Sequence, residues 1–266
     1  MRSRDAGTMP SESGVDVAVD KSNAMDGRLA LVTGGSRGIG LAAARDLGHR
    51  GATVVLVGRD RDRARSAAER LCDEGIDAVG LGCDVGDPGQ VADLAASVGP
   101  LGAVDVLVLS AGVMSSRASK TLRTDPAEWS EVMRTNLDGA FLPISAFVPA
   151  MVERRKGRVI AVSACLGRFS GPGTSGGLAP YRVSKAALNA MVKNLAAELM
   201  QGRRGVLVDA MCPNHCRTDM GGPDAPRSAE EGAETIVWLA TRAATGPDGQ
   251  PAPTGLLWED RQVVPW

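Results

Sequence analysis

The chain has 266 residues, of which 44% are hydrophobic and 23% are charged, and its formal net charge is −1. These values are ordinary for a globular protein that is long enough to bury a core. A nucleic-acid-binding surface needs clustered surplus Lys and Arg, often with stacking aromatics, whereas only 3% of these residues are aromatic. We therefore predict no nucleic-acid partner.

Residues 1–26 form a polar stretch that predicts a disordered N-terminal extension. It lacks the apolar block of a secretory signal. No stretch of the chain approaches the ~20 continuous apolar residues that span a bilayer. The five cysteines are an odd number and are typical of free thiols. Together these features predict a cytoplasmic protein with no membrane partner.

Apolar, β-branched runs recur along the chain and alternate with longer helical patterns. Their near-continuous hydrophobicity is typical of parallel strands that are covered on both faces. This alternation predicts an α/β fold: one Rossmann-type doubly wound parallel sheet with helices on both faces, forming a single domain over residues 27–266. The predicted strands are 28–33, 52–57, 78–83, 104–110, 157–163, 205–211 and 254–259.

The first predicted strand is followed by the glycine-rich turn TGGSRGIG at 33–40 and then by a helical pattern. Glycines at this place let the backbone turn tightly and approach a pyrophosphate, which binds at the helix N-terminus. A tight turn without a ligand is the alternative. The turn predicts a dinucleotide site that includes Gly34, Ser36, Arg37, Gly38, Ile39 and Gly40.

The residues after the second predicted strand favour one cofactor over another. NAD sites usually place a carboxylate there for the ribose 2′-hydroxyl. This chain has Arg59, with Arg37 in the glycine turn, and guanidinium groups suit a 2′-phosphate. Asp60 argues for NAD, but it lies one position beyond the arginine. We predict NADPH/NADP+, with solvated surface arginines as the alternative.

Tyr181 is the only tyrosine of the chain, and Lys185 follows it at i+4. Residues four apart lie on the same face of a helix. A free phenol has a pKa of ~10, and a neighbouring ammonium group lowers that pKa by favouring the phenolate. The pair is suited to acid–base catalysis, although a Tyr/Lys pair by itself also occurs on exposed helix faces.

Five motifs in order resemble the short-chain dehydrogenase/reductase family: the glycine turn at 33–40, CDV at 83–85, TNLDG at 135–139, Ser163, and YRVSK at 181–185. The resemblance covers essentially the whole predicted domain. The C-terminal part of the chain is similar to the carbonyl-reductase-like members of that family.

The resemblance implies a catalytic set of Asn136, Ser163, Tyr181 and Lys185. In this family Tyr181 would be the proton donor and Ser163 the hydroxyl that holds the substrate oxygen. Lys185 would bind the nicotinamide ribose and tune the tyrosine, while Asn136 would help to organise a water that leads to the lysine. The resemblance also implies cofactor contacts from Asp84, Val85, Ala111, Gly112, Tyr181, Lys185, Pro213 and Thr218.

The chain departs from the family pattern in two places. Leu109 and Ser110 stand where relatives have two asparagines. In CPNHCRTDM at 212–220, Asn214 replaces a glycine; because asparagine tolerates positive φ, we expect this turn to survive. His215 and Cys165 are predicted to lie in the substrate pocket, with a solvent-facing loop histidine as the alternative for His215.

Cys212, His215 and Cys216 also suggest a zinc site, but a structural zinc needs four ligands and no partner pair with suitable spacing exists elsewhere in the sequence. We predict no metal. A cysteine nucleophile at this place stays a minor alternative, since His215 and His49 are the only available bases.

These features predict the NADPH-dependent reduction of a small-molecule ketone or aldehyde, or the reverse oxidation. The alternative is an NADP(H)-binding protein that performs non-redox acid–base chemistry or senses the cofactor. An insertion at 168–180 precedes the tyrosine and would lie over the substrate cleft. Such an insertion can disturb the family's usual tetramer, so a homo-oligomer and a monomer both stay open.

Overall fold

A computed structural model describes residues 24–116, 119–246 and 248–266. Its eight strands form one sheet in the spatial order β3-β2-β1-β4-β5-β6-β7-β8, and the first seven run parallel. After β3 the chain crosses back over the sheet and forms β4, which pairs with β1 on the side opposite β2. This reversal of strand order is typical of a doubly wound sheet. The strands are β1 (Leu29–Thr33), β2 (Thr53–Gly58), β3 (Ala78–Gly82), β4 (Val104–Leu109), β5 (Gly157–Val162), β6 (Val206–Met211), β7 (Leu257–Glu259) and β8 (Gln262–Val264).

Helices cover both faces of this sheet and bury two separate apolar clusters. Successive strand residues face opposite sides, so Leu29 and Leu31 belong to one cluster while Ala30 and Val32 belong to the other. The first cluster packs under α3, α5 and α6, and the second under α1, α2 and α7. The helices are α1 (Gly38–His49), α2 (Arg61–Asp73), α3 (Pro88–Val98), α4 (Pro126–Met133), α5 (Gly139–Glu153), α6 (Ala179–Glu198) and α7 (Ala229–Thr241).

The structure confirms the predicted fold class and differs from the sequence prediction at both ends of the domain. Met25 was placed in the N-terminal extension, but its side chain is fully buried in the core and its N–H donates to the carbonyl of Arg50. The ordered fold therefore includes residues before 27. The prediction for residues 1–23 lies outside the described residues. The antiparallel β8, which pairs with β7, was not predicted.

A buried ion pair joins the far end of the sheet to α7. Asp209 on β6 accepts a hydrogen bond of 2.6 Å from Arg242, and both side chains are almost fully buried. The Arg242 guanidinium lies beside the rings of Trp238 and Trp258, at 5.2 and 4.9 Å from their centroids, and the two rings contact each other edge to face. The Trp258 indole also donates to Asp209, at 3.0 Å. The pair is thus held by hydrogen bonds and packing on several sides.

Candidate active site

A cleft of about 990 Å³ opens at the carboxyl ends of the parallel strands, where doubly wound sheets bind ligands. It collects the predicted cofactor, catalytic and substrate-pocket residues, except that Asn136 is not among the lining side chains. The lining residues that the sequence predicted are Gly34, Ser36, Arg37, Gly38, Ile39, Gly40, Arg59, Asp84, Val85, Ala111, Gly112, Ser163, Cys165, Tyr181, Lys185, Pro213, His215 and Thr218.

The glycine turn forms a tight cradle at the start of α1. A Cβ on Gly34 would come within 2.9 Å of the Ala111 backbone, and a Cβ on Gly40 within 2.5 Å of the Gly34 carbonyl oxygen. Gly38 has a φ of +55°, a conformation that favours glycine. The helix N-cap residue Arg37 makes no side-chain capping bond. The first N–H groups of α1 are therefore available to an anion such as a pyrophosphate.

Two arginines, Arg37 in the turn and Arg59 after β2, lie at this end of the cleft, and each nearby carboxylate already has a hydrogen-bond partner. Asp60, the residue that argued for NAD, caps α2 by accepting a 3.0 Å bond from the N–H of Arg63. The Arg37 guanidinium donates to Asp219 across the mouth of the cleft, and both side chains are largely exposed. The described structure shows no ion pair for Arg59. These residues fit a cofactor that carries a phosphate on its ribose.

Thr33 supports the loop after β4, where the family asparagines are missing. Its hydroxyl oxygen accepts hydrogen bonds from the N–H groups of Ser110 and Ala111, at 3.1 and 3.2 Å, and the hydroxyl lies 3.4 Å from the carbonyl oxygen of Val108. The close approach of this loop to the glycine turn is thus retained without the two amides. Sequence analysis missed Thr33, whose only signal was its position at the end of β1.

Asn136 lies beneath the cleft on a π-helical segment, Arg134–Asp138, that joins α4 to α5. Its side-chain oxygen accepts from the N–H of Val113 at 2.8 Å, and its amide nitrogen donates to the Val113 carbonyl and to Ser184 Oγ, both at 3.0 Å. Single π turns often occur at functional sites. The side chain therefore fixes the loop after β4 against α6, and its predicted role toward a water stays a prediction.

Ser163 follows β5 and is oriented by a residue that sequence analysis missed. Its hydroxyl donates to Asn189 Oδ1 at 2.5 Å, and both side chains are buried. Asn189 lies on α6 four residues after Lys185, so the same helix face carries the lysine and the partner of the serine. That spacing was the available signal for Asn189.

Tyr181 and Lys185 face the cleft from the first turns of α6, and both are buried. Burial raises the pKa of the Tyr181 phenol, with a further contribution from Cys212 and Cys165. Burial lowers the pKa of the Lys185 ammonium to about 8. This ammonium donates to the Val162 carbonyl at 2.7 Å and lies 5.8 Å from the centre of the tyrosine ring. The net pKa of the phenol is therefore raised and not lowered as expected, because desolvation dominates in the described structure.

Asp84 lies at the cleft in a turn after β3. One of its carboxylate oxygens accepts from Arg134 at 2.8 Å and the other from the N–H of Gly86 at 3.1 Å. This position fits the predicted cofactor contact, and the two hydrogen bonds are equally those of a residue that stabilises the turn after a strand.

The 212–216 segment forms the turn that asparagine was expected to permit. Asn214 has a φ of +62°, which confirms the prediction of a positive φ. His215 is exposed, and its Nε2 lies 2.8 Å from the Gly221 carbonyl oxygen, so Nε2 carries the proton that it donates. The Cys216 thiol donates to the Pro213 carbonyl at 3.1 Å. His215 thus lines the cleft while bonding its own loop.

No group of three or more His, Cys, Asp or Glu side chains among the described residues could hold a metal ion. No helix within them is both long and apolar enough to cross a membrane.

Comparison with known proteins places the chain in one family. Residues 28–229 match the family described as short chain dehydrogenase. The chain is 34% identical over 196 residues to the 3-oxoacyl-(acyl-carrier-protein) reductase of Escherichia coli (strain K12), covering 73% of this chain and 76% of that protein. It is 32% identical to the gluconate 5-dehydrogenase of Gluconobacter oxydans (strain 621H), covering 85% and 84%.

A solved structure extends the comparison to the fold. A metagenomic short-chain oxidoreductase in complex with NADP is 31% identical, with a TM-score of 0.73, and the match covers 89% of this chain and 98% of that one. The family match spans the glycine turn, the serine and the Tyr/Lys helix described above. The chain therefore belongs to the short-chain dehydrogenase/reductase family of oxidoreductases.

Proposed function

We propose that this protein reduces a small ketone or aldehyde to an alcohol with NADPH, or catalyses the reverse oxidation. The observation that carries the proposal is the position of Ser163, Tyr181 and Lys185 in one cleft with the glycine turn. The relatives named as a reductase and a dehydrogenase act on carbonyl and alcohol groups by those names. When bound, the cofactor would supply the hydride.

The protein's own residues would position the carbonyl and supply the proton. The Tyr181 phenol would hold the substrate oxygen together with the Ser163 hydroxyl, whose single proton would turn from Asn189 Oδ1 to the substrate. Because burial raises the pKa of Tyr181, the phenol keeps its proton near neutral pH and can donate it to a forming alkoxide. Lys185 is mostly protonated below pH of about 8 and would stabilise the phenolate that remains after this transfer.

Cofactor selection rests on the end of β2. Arg59 and Arg37 would bind the ribose 2′-phosphate of NADPH, while Asp60 already uses one carboxylate oxygen to cap α2. Arg37 would exchange Asp219 for the phosphate. The solved relative with NADP supports this choice. A cytoplasmic location and the oligomeric state stay predictions.

The test of the reaction follows NADPH absorbance while a panel of ketones and aldehydes is offered to the wild type and to Tyr181→Phe. We expect oxidation by the wild type and a loss of at least about 100-fold in the variant, since a positioned proton donor contributes 10²–10⁴-fold. Cofactor binding and circular dichroism should be unchanged. Equal rates in both proteins would contradict the proposal, as would product formed without NADPH oxidation, which is the non-redox alternative.

The test of cofactor choice compares Arg59→Ala with Arg61→Ala, a change at the start of α2 outside the residues that line the cleft. A hydrogen bond to a charged group contributes about 1.5–3 kcal/mol, so Arg59→Ala should weaken NADPH binding about 10- to 100-fold. NADH binding should change little in either variant. Equal losses for both cofactors would remove the argument for NADPH.

A further inference from the structure

Two thiols meet inside the cleft, between the ends of neighbouring strands. Cys165 begins a single 3-10 turn just after β5, and Cys212 directly follows β6. The N–H of Cys165 donates to the sulfur of Cys212 at 3.0 Å. Both residues line the cleft. The pair is not part of the catalytic set.

The backbone on both sides of the pair is fixed by the sheet. The N–H of Ser163 donates to the Met211 carbonyl at 2.8 Å, which continues the β5–β6 ladder to the residue before Cys212. The N–H of Cys212 donates to the Trp258 carbonyl on β7, also at 2.8 Å. Main-chain bonds therefore fix the two loops that carry the cysteines next to each other.

The two cysteines differ in access and in charge. Cys165 is partly exposed and lines the cleft, whereas Cys212 is 2% exposed. The neighbouring Cys212 lowers the pKa of the Cys165 thiol below its ordinary value, against an opposing effect of burial. The thiolate is the reactive form of cysteine. An accessible thiolate beside a buried thiol is the arrangement of an attacking and a resolving cysteine.

We propose that Cys165 and Cys212 form a dithiol that small hydroperoxides oxidise to a disulfide. The Cys165 thiolate attacks one peroxide oxygen, the O–O bond breaks, and the leaving oxygen takes a proton to become water or an alcohol. The resulting sulfenic acid is attacked by the sulfur of Cys212, which forms the S–S bond and releases water. Two thiols lose two electrons in total, and the hydroperoxide takes up both.

The disulfide would join the loop that carries Ser163 to the loop that carries Pro213 and Thr218. It would remove the partly exposed thiol from the substrate side of the cleft. The disulfide would therefore alter the binding of substrate and cofactor. Its formation does not depend on the reaction proposed above.

The experiment treats the wild-type protein with hydrogen peroxide and measures intact mass, free thiols after denaturation, and a non-reducing peptide map. We expect the loss of two hydrogens, the loss of two of the five thiols, and a Cys165–Cys212 cross-linked peptide, all reversed by dithiothreitol. The wild-type peptide map needs no variant and no turnover, so a failure of the proposed enzymatic activity leaves this test intact.

Three variants sharpen the assignment. Cys212→Ser should leave Cys165 without a resolving thiol, so that a dimedone adduct accumulates at Cys165. Cys165→Ser should keep Cys212 reduced under the same treatment. Cys72→Ser, which changes an exposed cysteine near the end of α2, should behave as the wild type. Retention of both thiols in the wild type, sulfinic acid at Cys165 beside a free Cys212, or a Cys212–Cys216 bond would each overturn the proposal.

Discussion

Replacing Lys185 by methionine should increase the stability of the ligand-free protein at neutral pH while abolishing its activity. The ammonium is 5% exposed, and its pKa falls from 10.5 to about 8 because burial penalises the charged form. Below pH 8 the folded protein thus holds a charged group that the unfolded chain would solvate better. Methionine has a similar shape and carries no charge.

The magnitude follows from the pKa difference. At about 1.36 kcal/mol per pKa unit, a fall of 2.5 units costs the fold roughly 3 kcal/mol at pH 7. The substitution also leaves the Val162 carbonyl without its donor, which costs about 1–3 kcal/mol. The net gain at neutral pH is therefore on the order of 0–2 kcal/mol, so the sharper prediction is its dependence on pH.

The sign of that dependence is fixed by proton binding. Between pH 8 and 10.5 the unfolded lysine binds more protons than the folded one, so wild-type stability rises with pH relative to the variant. We expect the difference in unfolding free energy between the two proteins to shift by about 2.5 kcal/mol, in favour of the wild type, from pH 7 to pH 10.

Urea unfolding of both proteins at several pH values in this range measures the shift. Lys193→Met, which changes an exposed lysine on the same helix, is the matched control for the loss of an ammonium group. A Lys185→Met protein that is equally destabilised at pH 7 and pH 10 would refute the reasoning.

Three further changes test other contacts. Asp209→Ala should lower the free energy of unfolding by about 3–5 kcal/mol, because it leaves the buried Arg242 without its partner; a loss below 1 kcal/mol in urea unfolding would contradict this. Ser228→Ala removes the capping box of α7 and should lower stability by about 1 kcal/mol in thermal unfolding with turnover unchanged, whereas a loss of turnover would show another role. Asn189→Leu removes the acceptor of the Ser163 hydroxyl and should lower kcat/KM about tenfold in steady-state assays of the folded protein. Unchanged kinetics would show that the serine needs no orienting partner.

The hydrophobic pattern predicted the parallel sheet well because buried parallel strands are apolar at nearly every position. All seven predicted strands occur, within one to three residues of their predicted ends. The missed strand, β8, is three residues long and follows a tight turn at Asp260 and Arg261, which both have positive φ. Positive φ at both positions usually calls for Asn-Gly or Asp-Gly, so Asp-Arg gave no hairpin signal.

The candidate site was predictable where spacing along one element sets the geometry and was missed where the geometry depends on tertiary contacts. The i+4 spacing of Tyr181 and Lys185 placed both side chains on one face of α6. The pKa of the phenol could not be predicted, since it depends on how deeply the ring is buried. The contact between Cys165 and Cys212 was also missed, because their loops are adjacent only through the pairing of β5 with β6.

The burial of the single tyrosine has a spectroscopic consequence. Phenolate absorbs at longer ultraviolet wavelengths than phenol, and Tyr181 is the one residue of the chain that can give this signal. Because burial raises its pKa, the folded protein should reach alkaline pH without the phenolate band, which should then grow as the helix carrying Tyr181 leaves the sheet. An absorbance titration would thus report the opening of the catalytic cleft without any label.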